Sequence, residues 1–468
     1  MLGEIIKKEI REIITSAKFI VTFVLCAILV LLSVVMGISN YNADQREHDR
    51  AVALNKQGLE SRHSIFEVAE FGTKVYKRPQ VLGTIVNGVE ADAGRGMKVG
   101  PGTDPEAVDF KYLGNLVLAV FGNLDLAFIV RVVLSLLAIL FTYDALTGEK
   151  EKGTLRLIFS NAVPRDVLIL GKATGGFLCL LVSLIVPFVL ALLILIAYPT
   201  ISLAGDDWVR LAMIFAVFLL YISVFFMLGL FVSARTHRST TSFLVLLFIW
   251  ITFVMIFPKI SVMAAAQLKP IPSANEMRVK KDQFLQALYR ESQAKFQAYV
   301  ESHPNPRGKE GLKAWQQQCM NVWEDLSKAR DKKNEEFIAS ADRDYQLRKQ
   351  NQDRLALDLS CISPAGAMMF ASMSIARTGL REQQRYLESV RSYWLVWGKW
   401  SIVKEREGPT TLPPGTKVDL SEVPQFEYQP EQTASSIKPA LPDFAILIFM
   451  IVLFFAGAYW SFVRYDVR

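Results

Sequence analysis

Six long apolar runs divide the chain into alternating hydrophobic and polar stretches. Each run is long enough to cross a bilayer, which takes about 20 helical residues. The segment before them, residues 1–16, sets isoleucines against charged side chains, a pattern typical of an amphipathic helix lying on a membrane surface. The pattern predicts an all-α polytopic membrane protein with spans at residues 17–38, 124–146, 175–198, 209–234, 242–262 and 444–463.

The charges beside these runs predict an orientation. Short cytoplasmic loops are enriched in lysine and arginine. Basic residues precede the first run, separate the fourth from the fifth and follow the sixth, whereas the turn between the third and fourth carries Asp206 and Asp207. We therefore expect both termini in the cytoplasm of a bacterium, with the chain in the cytoplasmic (inner) membrane and in contact with its lipids.

This orientation places two long segments, residues 39–123 and 263–443, outside the cytoplasm. The first contains an apolar stretch, residues 112–121, which we expect to re-enter the membrane or lie on it. In the second, residues 275–359 are charged and strongly helix-forming, which predicts a mainly helical extracytoplasmic domain. An aromatic cluster, Tyr393, Trp394, Trp397 and Trp400, is typical of the membrane–water interface.

The composition excludes several classes of function. Of the 468 residues, 51% are hydrophobic and 21% charged, which fits membrane spans combined with a water-exposed domain. The net charge of +7 forms no aromatic-interleaved basic patch, so nucleic-acid binding is not expected. With no CxxC and scattered histidines we expect no metal site, and no catalytic constellation is present in the spans. Cys319 and Cys361 are either bridged by a disulfide or two thiols.

The most informative polar stretch is the predicted cytoplasmic loop, residues 147–174, between the second and third runs. Glycines and a proline bracket a short segment with apolar residues at roughly helical spacing. Such an amphipathic helix is suited to receive force from a soluble partner; the alternative is an ordinary positive-inside loop. The candidate coupling residues are Glu149, Lys152, Gly153, Thr154, Leu155, Arg156 and Arg165.

Arg131 is charged and stands about two turns inside the second run. A charge at that depth costs roughly 2.5 to 3.5 kcal/mol on insertion scales, so it usually faces a cavity or a partner. Arg131 either lines a transport pathway or snorkels to the interface.

The loop resembles the permease subunits of ABC-2-type ABC transporters. The shared pattern is Asp144, Gly148-Glu149, Gly153-Thr154-Leu155, Ser160, Pro164-Arg165 and Gly171-Lys172. The large segment before the sixth run is similar to that of a subgroup with an enlarged outer region, in which Ile362-Ser-Pro364 and Arg377-Thr-Gly379 have counterparts. The resemblance implies a dimer with a second permease copy or paralogue, and a cytoplasmic ABC ATPase in which the loop helix docks.

ATP hydrolysis is expected elsewhere than in this chain. A phosphate-binding loop ends in Gly-Lys-Ser/Thr, whereas Gly171-Lys172-Ala173 lacks the hydroxyl and the preceding glycine spacing. We therefore expect no cofactor on this chain and ATP with magnesium on the partner ATPase. The sequence predicts a permease that exports a substrate. The alternatives are a subunit that relays ATPase strokes to an extracytoplasmic partner, and a membrane scaffold without a transport cycle.

Overall fold

The computed structural model describes residues 2–89, 94–101, 103–108, 125–160, 163–305, 309–408 and 417–465. The apolar stretch 112–121 lies outside these residues. Within the described part of the chain, six helices are long and apolar enough to cross a membrane, which confirms an all-α polytopic membrane protein. They are Ala17–Glu60, Leu126–Glu151, Arg165–Ala197, Gly205–Arg235, Ser239–Leu268 and Thr433–Val463.

The chain begins with α1 (Leu2–Ile14), followed by α2 (Ala17–Glu60), which contains the first span. Ser16 starts α2, because its hydroxyl accepts the Phe19 N–H. At 44 residues α2 is about 66 Å long, twice the thickness of a bilayer core. The apolar first half and the charged second half of this segment therefore form one continuous helix.

The second span is interrupted. It consists of α4 (Leu126–Ile129), a π-helical turn (Val130–Leu134) and α5 (Ser135–Thr142). The third span lies in α8 (Arg165–Ala197) and the fourth in α9 (Gly205–Arg235). The fifth comprises α10 (Ser239–Trp250), a second π-helical turn (Ile251–Ile256) and α11 (Phe257–Leu268). The sixth comprises the short helix α16 (Thr433–Ile437), a 3₁₀ turn (Lys438–Ala440) and α17 (Leu441–Val463).

The fourth span, α9, forms the centre of the bundle. It buries the largest share of its apolar window among the six spans and packs against α17 and α5. Gly229 permits the approach to α5, since a Cβ atom there would lie 1.9 Å from the Thr142 hydroxyl. Small residues at helix contacts allow this close packing in membranes.

Besides the helical bundle, the chain forms a small α/β substructure. A short helix, α3 (Ile65–Phe71), leads into a three-stranded antiparallel sheet of β1 (Thr73–Tyr76), β2 (Gly96–Gly100) and β3 (Thr103–Ala107). The register pairs Thr73 with Val99 and Met97 with Ala107.

The helix α15 (Leu380–Glu407) packs on α3 and on this sheet. The interpretation of its aromatic cluster as an interfacial belt is wrong for Tyr393 and Trp397. Both side chains are buried in a core with Val75 and Val99. The Tyr393 hydroxyl donates to the Pro424 carbonyl, and the Trp394 indole donates to the Gly100 carbonyl.

The apolar residues before α15 form α14 (Pro364–Ala376), which packs against α9 and α17. The Ser363 hydroxyl caps α14 and donates to the Phe253 carbonyl at 2.5 Å. The helix ends at Arg377, which adopts a left-handed conformation with φ 60°. Arg210, which is buried, donates to the Ile375 carbonyl and so fixes this end of α14 to the fourth span.

The predicted segment 263–443 divides between two compact units, one of which comprises Lys259–Ser360. This unit contains α12 (Ala274–Ser302) and α13 (Lys309–Ser360), two helices that pair with each other. Phe284 stacks on Phe337 at 3.8 Å between ring centroids, and Lys281 Nζ lies 2.8 Å from Asp342 Oδ1. The 52 residues of α13 extend over about 78 Å.

Of the two alternatives for Cys319 and Cys361, a disulfide or two thiols, the structure has two thiols. All four cysteines lie in the described part of the chain, and none forms a disulfide there. Cys319 lies within α13 and Cys361 follows its last residue. About 40 residues of continuous helix separate them by about 60 Å, far beyond disulfide reach. Cys361 instead hydrogen-bonds to Asp443.

Candidate functional site: the loop between the second and third spans

Two short helices form the polar loop, α6 (Thr147–Glu151) and α7 (Thr154–Ser160). Gly153 joins them with φ 72°, a left-handed conformation that glycine adopts without steric cost. A Cβ atom at Gly153 would meet nothing within 4 Å, so backbone conformation alone requires glycine there. The Thr154 hydroxyl donates to the Glu149 carbonyl at 3.3 Å and closes the turn.

The helix α7 has one anchored side and one exposed side. Leu155 is 2% exposed and packs in a cluster with Leu168, Leu230 and Phe462, which belong to the third, fourth and sixth spans. Leu157, two positions later, is 66% exposed. Three predicted coupling residues share its exposure: Lys152, Thr154 and Arg156.

A buried ionic triad holds the loop against the bundle. Lys172 Nζ, on the third span, lies 2.7 Å from Glu149 Oε1 and 3.0 Å from Glu9 Oε1 of α1. The Lys172 side chain is almost fully buried, and both carboxylates are mostly so. Burial raises the pKa of Glu9, and the nearby Lys172 opposes this rise without cancelling it. Glu149 was predicted to face a partner, but here its carboxylate points into the protein.

The Gly171-Lys172 pair positions α1 as well as the ion pair. A Cβ atom at Gly171 would lie 2.5 Å from Ile5 Cγ2, and one at Gly175 would lie 2.9 Å from Glu9 Cβ. Both distances are too short for real side chains, so glycine at one face of α8 lets α1 lie directly on it. This approach brings Glu9 to Lys172.

Arg165 binds the end of the last helix. Its Nη1 donates to the Val463 carbonyl at 2.7 Å and to the Tyr465 carbonyl at 2.8 Å. The final carbonyls of a helix have no intrahelical partner, and a cation there also complements the helix dipole. The Arg165 guanidinium stacks 5.3 Å from the centroid of Phe159, which belongs to α7. Arg165 therefore links the loop helix to the sixth span.

A further set of contacts joins the loop to the fourth span and was not predicted from the sequence. Lys150 Nζ donates to the Ala234 carbonyl and, at 3.0 Å, to the Thr236 carbonyl. The Ser233 hydroxyl accepts the backbone N–H groups of Leu146 and Thr147 at 3.0 and 3.1 Å. These partners are more than 80 residues apart in the chain. No local motif connects them.

Arg131 lies in the π-helical turn of the second span and is half-buried. Its guanidinium carbon is 5.5 Å from the centroid of the Phe128 ring, and its carbonyl accepts the Tyr221 hydroxyl at 2.7 Å. A pathway role for Arg131 stays a prediction. Among the described residues, no group of three or more His, Cys, Asp or Glu side chains could hold a metal ion.

The chain was compared with known proteins. The family model of the ABC-2 family transporter protein matches residues 4–467. The probable ABC transporter permease protein NosY of Stutzerimonas stutzeri is 29% identical over 143 residues, which cover 28% of this chain and 48% of that protein. The protein of the same name from Pseudomonas aeruginosa is 31% identical over 122 residues, covering 26% and 44%.

These alignments span about half the length of the two relatives. The family model, in contrast, covers almost the whole chain, including α1, the loop and all six spans. The chain belongs to the ABC-2 family of transporter proteins.

Proposed function

We propose that the chain is the permease subunit of an ABC exporter and that a separate cytoplasmic ATPase drives it by docking on α7. The observation that carries this proposal is the two-sided construction of α7. Leu155 fixes the helix to the bundle, whereas Leu157 is 66% exposed, and the preceding cations Lys152 and Arg156 are also exposed. An exposed apolar side chain on a fixed helix with cations nearby in sequence suits an apolar groove with an acidic rim.

The contacts behind α7 supply a route for force. Glu149 and Lys172 connect the loop to the third span, Lys150 connects it to the fourth, and Arg165 connects it to the sixth. Displacement of α7 by a partner would therefore move three spans together. A loop that only connected two spans would not need a buried ion pair to one span and hydrogen bonds to the carbonyls of two others.

The remaining parts of the proposal follow from this arrangement. The basic residues of the loop, Lys150, Lys152 and Arg156, support a cytoplasmic position for it by the positive-inside rule. Both termini would then also be cytoplasmic, and the chain would lie in a bacterial cytoplasmic membrane. ATP and magnesium would reside on the ATPase. A second permease copy or paralogue would complete a dimer, so that two α7 helices engage two ATPase subunits.

Substitution of Leu157 tests the docking surface. Leu157→Asp should lower the ATPase bound per purified permease, because a charge would enter an apolar groove lined by acidic groups. Leu54→Asp is the matched control, since Leu54 is also 66% exposed but lies on α2. If Leu157→Asp binds the ATPase as Leu54→Asp does, α7 is not the docking element.

The unit Lys259–Ser360 favours a second candidate, a relay of ATPase strokes to an extracytoplasmic partner. Its paired helices α12 and α13 are long but bury few apolar side chains. Among the described residues of these two helices, the buried apolar ones are Leu288, Cys319 and Ala341. A hairpin this long offers far more surface than its own core requires, which suits a binding arm.

A shortened hairpin separates export from relay. Lys281 and Asp342 touch, so a short Gly/Ser linker from one to the other would remove residues 282–341 and still close the hairpin. An exporter should retain ATPase stimulation by its substrate in proteoliposomes after this deletion. A relay should keep basal ATPase activity and lose co-purification with its extracytoplasmic partner.

A further inference from the structure

A polar pocket lies at the end of the first span farthest from α1. Gly37, Asn40 and Asp44 of α2 form one wall, and Asn87 and Asp125 form another. Thr378, which follows α14, and Arg95, which is paired with Asp44, also line the pocket. The pocket encloses about 460 Å³ including its open mouth. Its deepest part has room for a group the size of one or two water molecules.

Glycines bring the walls together and make the pocket rigid. A Cβ atom at Gly37 would lie 2.0 Å from the Thr84 carbonyl oxygen, and one at Gly88 would lie 2.1 Å from the Thr378 carbonyl oxygen. Neither approach tolerates a side chain. Three segments distant in sequence therefore meet at fixed positions, and their polar groups are held before any ligand arrives.

Two buried groups in this pocket are incompletely satisfied. The Thr378 side chain is 2% exposed, and its hydroxyl finds no hydrogen-bond partner among the described residues. Asp125 is also buried. Its two oxygens accept the N–H groups of Asn87 at 2.8 Å and Phe128 at 2.7 Å, which leaves lone pairs on both.

The charges around Asp125 leave its carboxylate short of compensation. Burial raises the pKa of Asp125 to about 6, and the two backbone donors together with Arg131 oppose this rise without overcoming it. The other acid of the pocket, Asp44, is paired with Arg95 at 2.8 Å. A small cation with N–H donors would relieve Asp125 and give Thr378 a partner.

We propose that this pocket binds a primary ammonium group, with Asp125 and Thr378 as its acceptors and the side-chain carbonyls of Asn40 or Asn87 as the third. The ligand is either a free amine or the headgroup of an aminophospholipid, because Gly37 lies at the end of the apolar run of the first span, within reach of the bilayer surface. The proposal does not depend on the ATPase-docking proposal.

The test uses the full chain in phosphatidylcholine nanodiscs, with ethanolamine as the probe and choline as the control. Choline carries the same charge but has no N–H donor. Ethanolamine should raise the thermal midpoint saturably and choline should not, because a ligand bound only by the folded state stabilises it. No effect of ethanolamine here, together with equal midpoints in phosphatidylethanolamine nanodiscs, would overturn the proposal.

Two variants identify the site. Asp125→Asn keeps a good helix N-cap but loses the charge, and should weaken ethanolamine binding about tenfold or more. Thr378→Val should also weaken binding while leaving the unliganded midpoint unchanged or higher, since the hydroxyl it removes has no partner. Asp104→Asn, on exposed β3, should change nothing. Unaltered binding in Asp125→Asn would contradict the assignment.

The lipid composition distinguishes the two sources. If a lipid headgroup occupies the pocket, nanodiscs with phosphatidylethanolamine should show the higher midpoint without added amine, and ethanolamine should add little. If the ligand is a free amine, the midpoint should respond to ethanolamine equally in both lipids. Either result supports the ammonium site, provided that the shift in thermal midpoint is lost in Asp125→Asn.

Discussion

Lys172 Nζ lies 2.7 Å from the Glu149 carboxylate, and this contact joins the third spanning helix to the loop that precedes it. Glu9 of α1 completes the arrangement from the opposite side of Lys172. The contact gives both ends of the shared motif one structural role, because Gly-Glu and Gly-Lys meet in space. It also ties α1 to the loop, because Glu9 and Glu149 both contact Lys172.

Removal of Lys172 should destabilise the protein strongly. Lys172→Met leaves two mostly buried carboxylates without a cation, and breaking a buried ion pair on one side costs about 3–5 kcal/mol. The thermal midpoint in nanodiscs should fall well below that of the parent. The triple variant Lys172→Met/Glu149→Gln/Glu9→Gln should recover most of the loss. Equal midpoints for the single and triple variants would show that the charges do not matter.

Glu9 should make stability depend on pH. Because the pKa of Glu9 is raised in the folded protein, the folded state binds a proton more readily than the unfolded state does. The resulting stability is complete below the ordinary pKa of 4.5 and is lost as pH rises through the raised folded value. Glu9→Gln should reduce the dependence of the thermal midpoint on pH between pH 4 and 7. Glu4→Gln, an exposed change on the same helix, should keep the parent slope.

Gly153 should tolerate no side chain. Gly153→Ala places a Cβ atom in a left-handed conformation, which costs about 1–2 kcal/mol in the turn that sets α7. The expected result is less ATPase bound per permease, with insertion unchanged. Gly58→Ala is the control, because that site also has nothing within 4 Å but lies inside the helix α2. Alanine at Gly58 should be neutral or stabilising. Matching ATPase binding in both variants would rule out a role for the turn.

Arg165 should keep the end of the sixth helix folded. Arg165→Lys preserves the charge but removes Nη1, which donates to both carbonyls, and the planar guanidinium that lies over Phe159, a loss of about 1 kcal/mol. Hydrogen exchange of the amides in residues 460–465 should become faster, while amides in the middle of α17 keep their protection. Unchanged exchange at 460–465 would mean that Arg165 does not cap this helix.

The spans were predictable because a run of about 20 apolar residues is a local property of the sequence. The turn at Gly153 was equally local, since it follows from residue type and spacing. The inward direction of the Glu149 side chain could not be predicted in this way, because its contact with Lys172 forms only when the loop, the third span and α1 pack together. The contacts of Lys150 could not be predicted either, because its carbonyl acceptors lie at the end of the fourth span.

The three-stranded sheet was not predicted from the sequence, for a different reason. The strand β3 contains Asp104, Pro105 and Glu106, residues that are depleted in strands. It forms through its register with β2, which is a tertiary effect. The aromatic residues of α15 were misassigned because tyrosine and tryptophan suit both a membrane interface and a sheet-covered core. Only the sheet packed against them decides between the two.

The orientation in the membrane can be tested with cysteine labelling. The four native cysteines should first be replaced, and the disulfide-free structure indicates that this breaks no cross-link. A single cysteine at exposed Ser202 or Gln425 should then react with an impermeant maleimide on intact cells, because both positions are expected outside. A cysteine at exposed Thr154 should react only after permeabilisation. Labelling of Thr154→Cys in intact cells would place α7 on the outside, where no ATPase could reach it, and would end the docking proposal.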